Sequence, residues 1–130
     1  MKVPSTRWLL IVSALVETAA GVALLLSPAL VAGVLLGTPL DAPAALIVSR
    51  VAGAALLSLG SACWLARDDG PNSARRGLVA SMLLYNCAAF AVLAHAGAGV
   101  GLVGVLLWPT VALHAAFAVW CVACLRSRGD

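Results

Sequence analysis

APAALIVSRVAGAALLSLGSACWLAR, residues 42–67, is the stretch that decides the fold. It is long enough to cross a bilayer as a helix, because the hydrocarbon core needs about 20 mostly apolar residues. The stretch carries one charge, Arg50, well inside its apolar run. Glu17, in the first long apolar run, is the only other charge inside such a run. One acid and one base inside apolar spans predict a polar centre within a membrane protein.

The composition of the whole chain favours a membrane protein over a soluble domain. Of its 130 residues, 63% are hydrophobic and 10% are charged, whereas soluble domains average about 45–50% apolar and about 25% charged residues. The net charge of +3 is not a nucleic-acid signal, because the basic residues lie at the ends of the apolar runs, where membrane topology explains them. We therefore expect the lipid bilayer as a partner, and no nucleic acid.

Four apolar runs predict four membrane-spanning helices in a single membrane domain. These spans cover about residues 8–27, 43–66, 76–95 and 100–125. The segment after the first span is apolar but too short to cross, and Pro28 should start a short interfacial helix there, over residues 28–36. Since short connections make consecutive spans antiparallel neighbours, the predicted fold is an all-α bundle of four transmembrane helices with a short interfacial helix after the first span.

Three residues predict how individual spans begin and bend. Pro43 suits the first turn of the second span, where a missing N–H is tolerated. Ser73 is a candidate N-cap for the third span. Pro109 lies inside the predicted fourth span and should kink it, because proline removes a backbone donor and clashes with the preceding turn.

The distribution of basic residues predicts the orientation in the membrane. Basic residues occur at the amino end, in the middle loop and at the carboxyl end, namely Lys2, Arg7, Arg67, Arg75, Arg76, Arg126 and Arg128. The two other connections carry no Lys or Arg. By the positive-inside rule, this alternation predicts a multi-pass protein with both termini in the cytoplasm. Arg supplies seven of the eight basic residues, a bias typical of GC-rich bacterial genomes, so we expect a bacterial inner (plasma) membrane.

Each predicted span contributes a strongly polar residue near the middle of the bilayer, counted at about 1.5 Å per residue along the helix. The candidate polar centre, for structure or for binding, consists of Glu17, Arg50, Tyr85, Asn86 and His114. An unpaired charge at that depth costs about 2.5–3.5 kcal/mol, so we expect Glu17 and Arg50 to meet as an ion pair. Three readings stay open: a structural ion pair, an Arg50 that snorkels to the outer headgroups, and a functional site.

Small residues accompany both charges on their helical faces. Gly21 shares a face with Glu17, and Gly53 shares a face with Arg50. Small residues at such spacing let membrane helices approach closely. The first two spans are therefore predicted to pack along these faces.

The WCVAC segment at the end of the fourth span contains Cys121 and Cys124. It resembles the Cys-x-x-Cys of four-helix thiol oxidoreductases of the vitamin K epoxide reductase and DsbB type, and that resemblance implies redox chemistry. Those enzymes work on the oxidising face with partner cysteines in an outer loop, whereas the outer connections here hold no cysteine. We interpret the pair as small apolar residues at a cytoplasmic helix end, where thiols stay reduced.

Metal and cofactor sites are not predicted. Cys63 and Cys87 are not spaced like metal-binding partners of the Cys-x-x-Cys pair. His95 lies at the outer end of the third span and His114 near the midplane of the fourth, so the two cannot ligate one haem iron axially. We therefore expect His114 to be an interior hydrogen-bonded histidine or a member of a proton relay.

Two family resemblances bear on function. Arg50-x-x-Gly53 within a span, a segment that Pro28 begins after the first span, and the overall length resemble the small four-span bacterial membrane proteins grouped as DoxX-like. That family has no single activity to carry over. Glu17 in the first of four short spans resembles small multidrug transporters, and this resemblance implies dimeric alternating access.

Three functions follow from these features. The first is a non-enzymatic binding or accessory module, as a homo-oligomer or with a partner membrane subunit. The second is an oligomeric proton-linked transporter or channel in which Glu17 and His114 titrate. The third is a membrane enzyme on a lipid or quinone-like substrate, with His114, Tyr85 and Glu17 as acid–base candidates. Because the sequence carries no phosphate-binding Gly loop, Ser-His-Asp set or zinc helix, we favour the non-enzymatic module.

Overall fold

The computed structural model describes residues 5–127, which form five α-helices and no strand within that range. The helices are α1 (Thr6–Leu26), α2 (Pro28–Leu36), α3 (Pro43–Ala66), α4 (Ser73–Ala98) and α5 (Leu107–Arg126). All except α2 are long and apolar enough to cross a membrane. This confirms the predicted all-α fold of four spans with a short helix after the first, and the protein is a multi-pass membrane protein. Lys2 and Arg128, which support the predicted orientation, lie outside the described residues.

Two antiparallel helix pairs make up the bundle. α1 packs along α3, and α4 packs along α5, while contacts between the pairs are less extensive. The apolar core draws on all four long helices and includes Leu9, Leu10, Cys63, Met82 and Phe117. It fills the half of the bundle where α1 begins and α5 ends. Large apolar side chains such as those of Leu65, Leu84 and Val119 remain on the outside, as expected for a surface that faces lipid.

Glycines bring α1 and α3 into backbone contact. A Cβ atom added to Gly21 would lie 2.7 Å from the carbonyl oxygen of Gly53, and one added to Gly60 would lie 3.0 Å from that of Ala14. Real Cβ atoms essentially never lie under 3.0 Å from such an atom, and a distance of 3.0–3.4 Å is tighter than nine in ten real Cβ contacts. The predicted packing of the Gly21 and Gly53 faces is therefore confirmed, and Gly60 extends it along the pair.

The ends of the later helices differ in detail from the sequence predictions. Asn72, not Ser73, is the N-cap of α4, and its side-chain oxygen accepts a hydrogen bond of 2.8 Å from the Arg75 amide. α5 begins at Leu107 rather than at about residue 100. Pro109 therefore lies in its first turn, where an amide would lack an intrahelical acceptor in any case. At this position Pro109 gives no reason to expect the kink that the sequence predicts inside the fourth span.

The connection before α5 packs on α2 instead of forming helix. The Leu106 amide donates to the Val34 carbonyl over 2.9 Å, and Gly104 lies directly against the Leu35 carbonyl. α2 itself ends at Gly37, in the left-handed conformation with φ 74°. Because these backbone groups are engaged with α2, the fourth span starts later than its apolar pattern predicts.

Candidate functional site: a polar centre between the helix pairs

Four of the five predicted polar residues lie together inside the bundle. Glu17 of α1 is 2% exposed, Asn86 of α4 is fully buried and His114 of α5 is 8% exposed. Tyr85 of α4 is half-buried beside them. We call these four residues the polar centre. It contains side chains from both helix pairs, and the structure thereby brings together residues that are up to 97 positions apart in the chain.

The polar centre is built from two hydrogen-bonded pairs. Tyr85 and Glu17 share a side-chain hydrogen bond, in which the phenol donates to the carboxylate. His114 Nδ1 lies 2.8 Å from Asn86 Oδ1. The Asn86 side-chain amide in turn donates to the Met82 carbonyl over 2.8 Å. The first pair joins α1 to α4, and the second joins α4 to α5.

The hydrogen bonds of Asn86 decide the tautomer of His114. A carbonyl such as that of Met82 only accepts, so the Asn86 nitrogen must face it and the Asn86 oxygen must face the histidine. That oxygen also only accepts, so His114 carries a proton on Nδ1. In a neutral imidazole, Nε2 is then the atom left to accept a hydrogen bond or a proton.

The two pairs meet through their rings. The Tyr85 and His114 rings are in edge contact, with centroids 5.6 Å apart and planes at 83°. Such a T-shaped contact is favourable for aromatic rings but does not pass a proton. The polar centre therefore consists of two separate hydrogen-bonded pairs in ring contact, rather than one continuous relay.

Arg50 lies outside the polar centre, which corrects the predicted ion pair with Glu17. Its side chain is exposed, and its Nε donates to the Leu25 carbonyl over 3.2 Å. That carbonyl belongs to the last turn of α1, where carbonyls lack intrahelical donors and a cation is favoured by the helix dipole. Within residues 5–127, the ion pairs join Asp68 to Arg7 and to Arg67. Glu17 has a neutral partner instead.

The packing of α1 on α3 explains why the predicted ion pair does not form. Because Gly21 contacts Gly53, the antiparallel pairing places Arg50 level with Leu25. Glu17 is eight residues before Leu25, or about 12 Å along the helix axis at 1.5 Å per residue. Similar depths estimated separately for two helices do not ensure that two side chains meet.

Charged side chains cluster at the end of the bundle where α1 begins. Arg7 Nε lies 2.7 Å from Asp68 Oδ1, and both side chains are exposed. The Arg7 hydrogen bond lowers the pKa of Asp68, desolvation opposes this effect, and the charges of Arg67, Arg7 and Arg75 lower the pKa further. The Arg67 guanidinium also stacks over the Trp64 ring at 4.0 Å. These contacts fix the start of α1 to the loop that follows α3.

Two of the cavities on the described part of the bundle are prominent, and residues of the polar centre line neither of these two. One, of about 480 Å³, opens where α4 begins. The other, of about 680 Å³, is a groove along α1 and α3 with mostly small and apolar walls, including Ala14, Thr18 and Gly60. Among the described residues, no group of three or more metal-binding side chains lies close enough to hold an ion. Cys63 and Cys121 are buried free thiols, and Cys87 is an exposed one.

Arg75 is one of the buried polar residues, with Thr6 and Ser13, that the sequence analysis does not predict. Arg75 is 8% exposed, whereas its position in the sequence indicates only the membrane topology. The residues buried on α4 are Arg75, Val79, Met82 and Asn86. Their spacing of four, three and four is that of one helical face, so the position of Asn86 already placed Arg75 on the inward side.

Comparison with known proteins adds no relative. A scan against protein-family models finds no match, and searches of curated proteins and of solved structures find none either. A function for this chain therefore has to come from its own residues.

Proposed function

We propose that this membrane protein is a non-enzymatic binding or accessory module whose polar centre joins its two helix pairs. The observation that carries the proposal is that each side chain of the centre is hydrogen-bonded to another member of the centre. Glu17 bonds to Tyr85, His114 bonds to Asn86, and Asn86 also bonds to a backbone carbonyl. A catalytic or transport site would instead present such groups to a substrate or to a water-filled path.

The location of these bonds supports a structural role. Direct packing between the helix pairs is limited, and the Glu17–Tyr85 bond bridges them. Interhelical hydrogen bonds in membrane proteins contribute on average about 0.6 kcal/mol each, and up to about 1.7 kcal/mol. Such bonds fix how the pairs face each other and leave the outer helix faces free for a second copy or for a partner membrane subunit.

The proposal is tested by measuring folding and proton flux on the same proteins. Glu17→Gln, Tyr85→Phe and the double variant are compared with the wild type by unfolding in detergent and by pH-gradient decay in proteoliposomes. A joining role predicts that each single variant is less stable and that the double variant loses less than the sum. It also predicts that the wild type leaves the gradient intact. A folded Glu17→Gln variant with unchanged stability contradicts the proposal.

A proton-linked transporter or channel is the second candidate. The observation that favours it is that three proton-bearing side chains, those of Glu17, Tyr85 and His114, are in contact inside the bundle. The ring contact between Tyr85 and His114 interrupts the path, so a rearrangement would be required in each cycle. Gradient decay that occurs in the wild type and is abolished by both Glu17→Gln and His114→Ala would establish this candidate over the first.

We further propose that both termini face the cytoplasm of a bacterial inner membrane, and that the chain is DoxX-like. The support for the orientation is that Arg7, Arg67, Arg75, Arg76 and Arg126 all lie at one end of the bundle. Carboxyl-terminal fusions to green fluorescent protein and to alkaline phosphatase test it. A fluorescent green fluorescent protein fusion together with an inactive alkaline phosphatase fusion fits a cytoplasmic carboxyl end. The reverse pattern excludes it.

A further inference from the structure

The cavity at the start of α4 has the dimensions and the position of a ligand site. Its volume of about 480 Å³ is within the range of about 300–1,000 Å³ that is usual for small-molecule sites. Its walls come from the start of α1, the loop before α4, the first turns of α4 and the end of α5. The cavity lies at the Arg-rich end of the bundle, far from the polar centre.

A buried guanidinium that makes no salt bridge within residues 5–127 lines this cavity, although it interacts with the Asp68 carboxylate at longer range. Arg75 is 8% exposed, and its Nε has no hydrogen-bond partner. The ion pairs found within residues 5–127 both use Asp68, with Arg7 and Arg67 as the cations. Removing a guanidinium from water without a hydrogen-bonded anion is unfavourable by several kcal/mol on an order-of-magnitude scale. The unpaired Nε of Arg75 therefore favours an anion close to this guanidinium.

The rest of the lining also favours negative charge. Arg76 contributes a second guanidinium, and the described lining residues include no Asp or Glu. The Asn72 side chain caps the Arg75 amide, which leaves the first two amides of α4, those of Ser73 and Ala74, without intrahelical acceptors. The start of a helix attracts anions through such amides and through its dipole.

We propose that this cavity binds a phosphate group, held by the Arg75 guanidinium and the first amides of α4. The flat fork of an arginine matches two phosphate oxygens at once, and the hydroxyls of Thr6 and Ser73 add further donors. The apolar part of the lining, with Val79 and Leu125, accommodates the carbon chain of a phosphate ester. The same chemistry serves a phospholipid headgroup or a soluble phosphate.

The test uses the full chain in maltoside micelles, which contain no phosphate. Thermal unfolding is followed while chloride is replaced by inorganic phosphate at constant ionic strength, and separately while phosphatidylglycerol is added. Native mass spectrometry counts the bound phosphatidylglycerol. Stabilisation by inorganic phosphate assigns a soluble source, and stabilisation by phosphatidylglycerol alone assigns a lipid source. If neither probe stabilises the protein, the proposal fails.

Charge-matched variants locate the effect. Arg75→Gln should weaken binding of the effective probe about tenfold or more, since a hydrogen-bonded charge contact is lost. Arg126→Gln removes an equal charge from an exposed residue at the same end that does not line the cavity, and should bind as the wild type does. Equal affinities of the Arg75→Gln and Arg126→Gln variants would overturn the proposal.

A second variant keeps the test decisive if Arg75→Gln does not fold. Arg76 lines the same cavity but is exposed, so Arg76→Gln should fold normally. Its affinity for the probe should fall several-fold below that of Arg126→Gln, because Arg76 lines the cavity and Arg126 does not. If Arg76→Gln and Arg126→Gln bind the probe equally well, the probe responds only to the general surface charge. This outcome would contradict the proposal.

Discussion

Adding a single methyl group at Gly21 should separate α1 from α3. In the Gly21→Ala variant, the new Cβ would lie 2.7 Å from the Gly53 carbonyl oxygen and 2.8 Å from the Leu57 nitrogen. Both atoms belong to the backbone, so no side-chain rotation relieves the contact. Since ordinary contacts begin at 3.4 Å, the two helices must move apart there by at least the difference from 2.7 Å.

The size of the effect follows from two opposing contributions. Overpacking of a tight interior costs about 1–3 kcal/mol, while replacing glycine by alanine inside a helix gains about 0.8–1.0 kcal/mol. We expect a net loss of about 1 kcal/mol for Gly21→Ala. Gly77 of α4 is the matched control, because a Cβ there meets no atom within 4 Å. Gly77→Ala should have the gain in helix propensity without the packing loss. Gly77→Ala should therefore increase the free energy of unfolding, whereas Gly21→Ala should decrease it.

The assay is equilibrium unfolding in mixed detergent micelles, followed by circular dichroism. The difference between the two variants isolates the packing cost, because the helix contribution cancels. A double variant, Gly21→Ala with Gly53→Ala, should lose less than the sum of the single losses, since one separation of the helices accommodates both methyl groups. Equal stabilities of the Gly21→Ala and Gly77→Ala variants would refute the close approach of α1 and α3.

Three further predictions concern the ends of the bundle and the polar centre. Because Arg7 lowers the pKa of Asp68, their ion pair should stabilise the fold above about pH 4, and this stabilisation should be lost as the pH falls through the lowered pKa. The melting temperatures of the wild type and of Asp68→Asn should therefore converge in acid. A difference between them that does not change with pH would contradict this. Gly104→Ala should destabilise the fold and increase hydrogen exchange in α2, since its Cβ would overlap the α2 backbone; unchanged exchange would speak against the packing. The effects of Arg50→Ala and Glu17→Gln on the free energy of unfolding should be additive within about 0.5 kcal/mol. A larger coupling energy would be evidence for the Glu17–Arg50 ion pair.

The sequence predicts most of the fold because length and proline set the helix bounds. Residues 28–36 were predicted as a short helix and are α2, since Pro28 starts it and Gly37 ends it in a conformation that favours glycine. The start of α5 was placed too early, because the residues before Leu107 are apolar enough for a span. Their backbone is engaged with α2, a tertiary contact that hydropathy does not report.

Four of the five predicted members of the polar centre lie together, but neither the exclusion of Arg50 nor the pairing within the centre could be predicted. Depth along each apolar run correctly placed Glu17, Asn86 and His114 in the interior, because membrane proteins turn such groups inward. Depth does not say which side chains are level in neighbouring helices. The prediction for Arg50 failed on this point, since charge attraction was assumed to set the alignment of α1 with α3.

The contacts between small residues explain why charge attraction did not set that alignment. For Glu17 to lie level with Arg50, α3 would have to slide by about seven residues, or roughly 10 Å. Gly21 would then face Leu46 rather than Gly53, and backbone contact between the helices would be lost. In lipid, helix association depends mainly on such close packing. In the observed register, Arg50 already donates a hydrogen bond to a carbonyl of α1. Packing therefore determines the register of α1 and α3, and Glu17 is left to a neutral partner on α4.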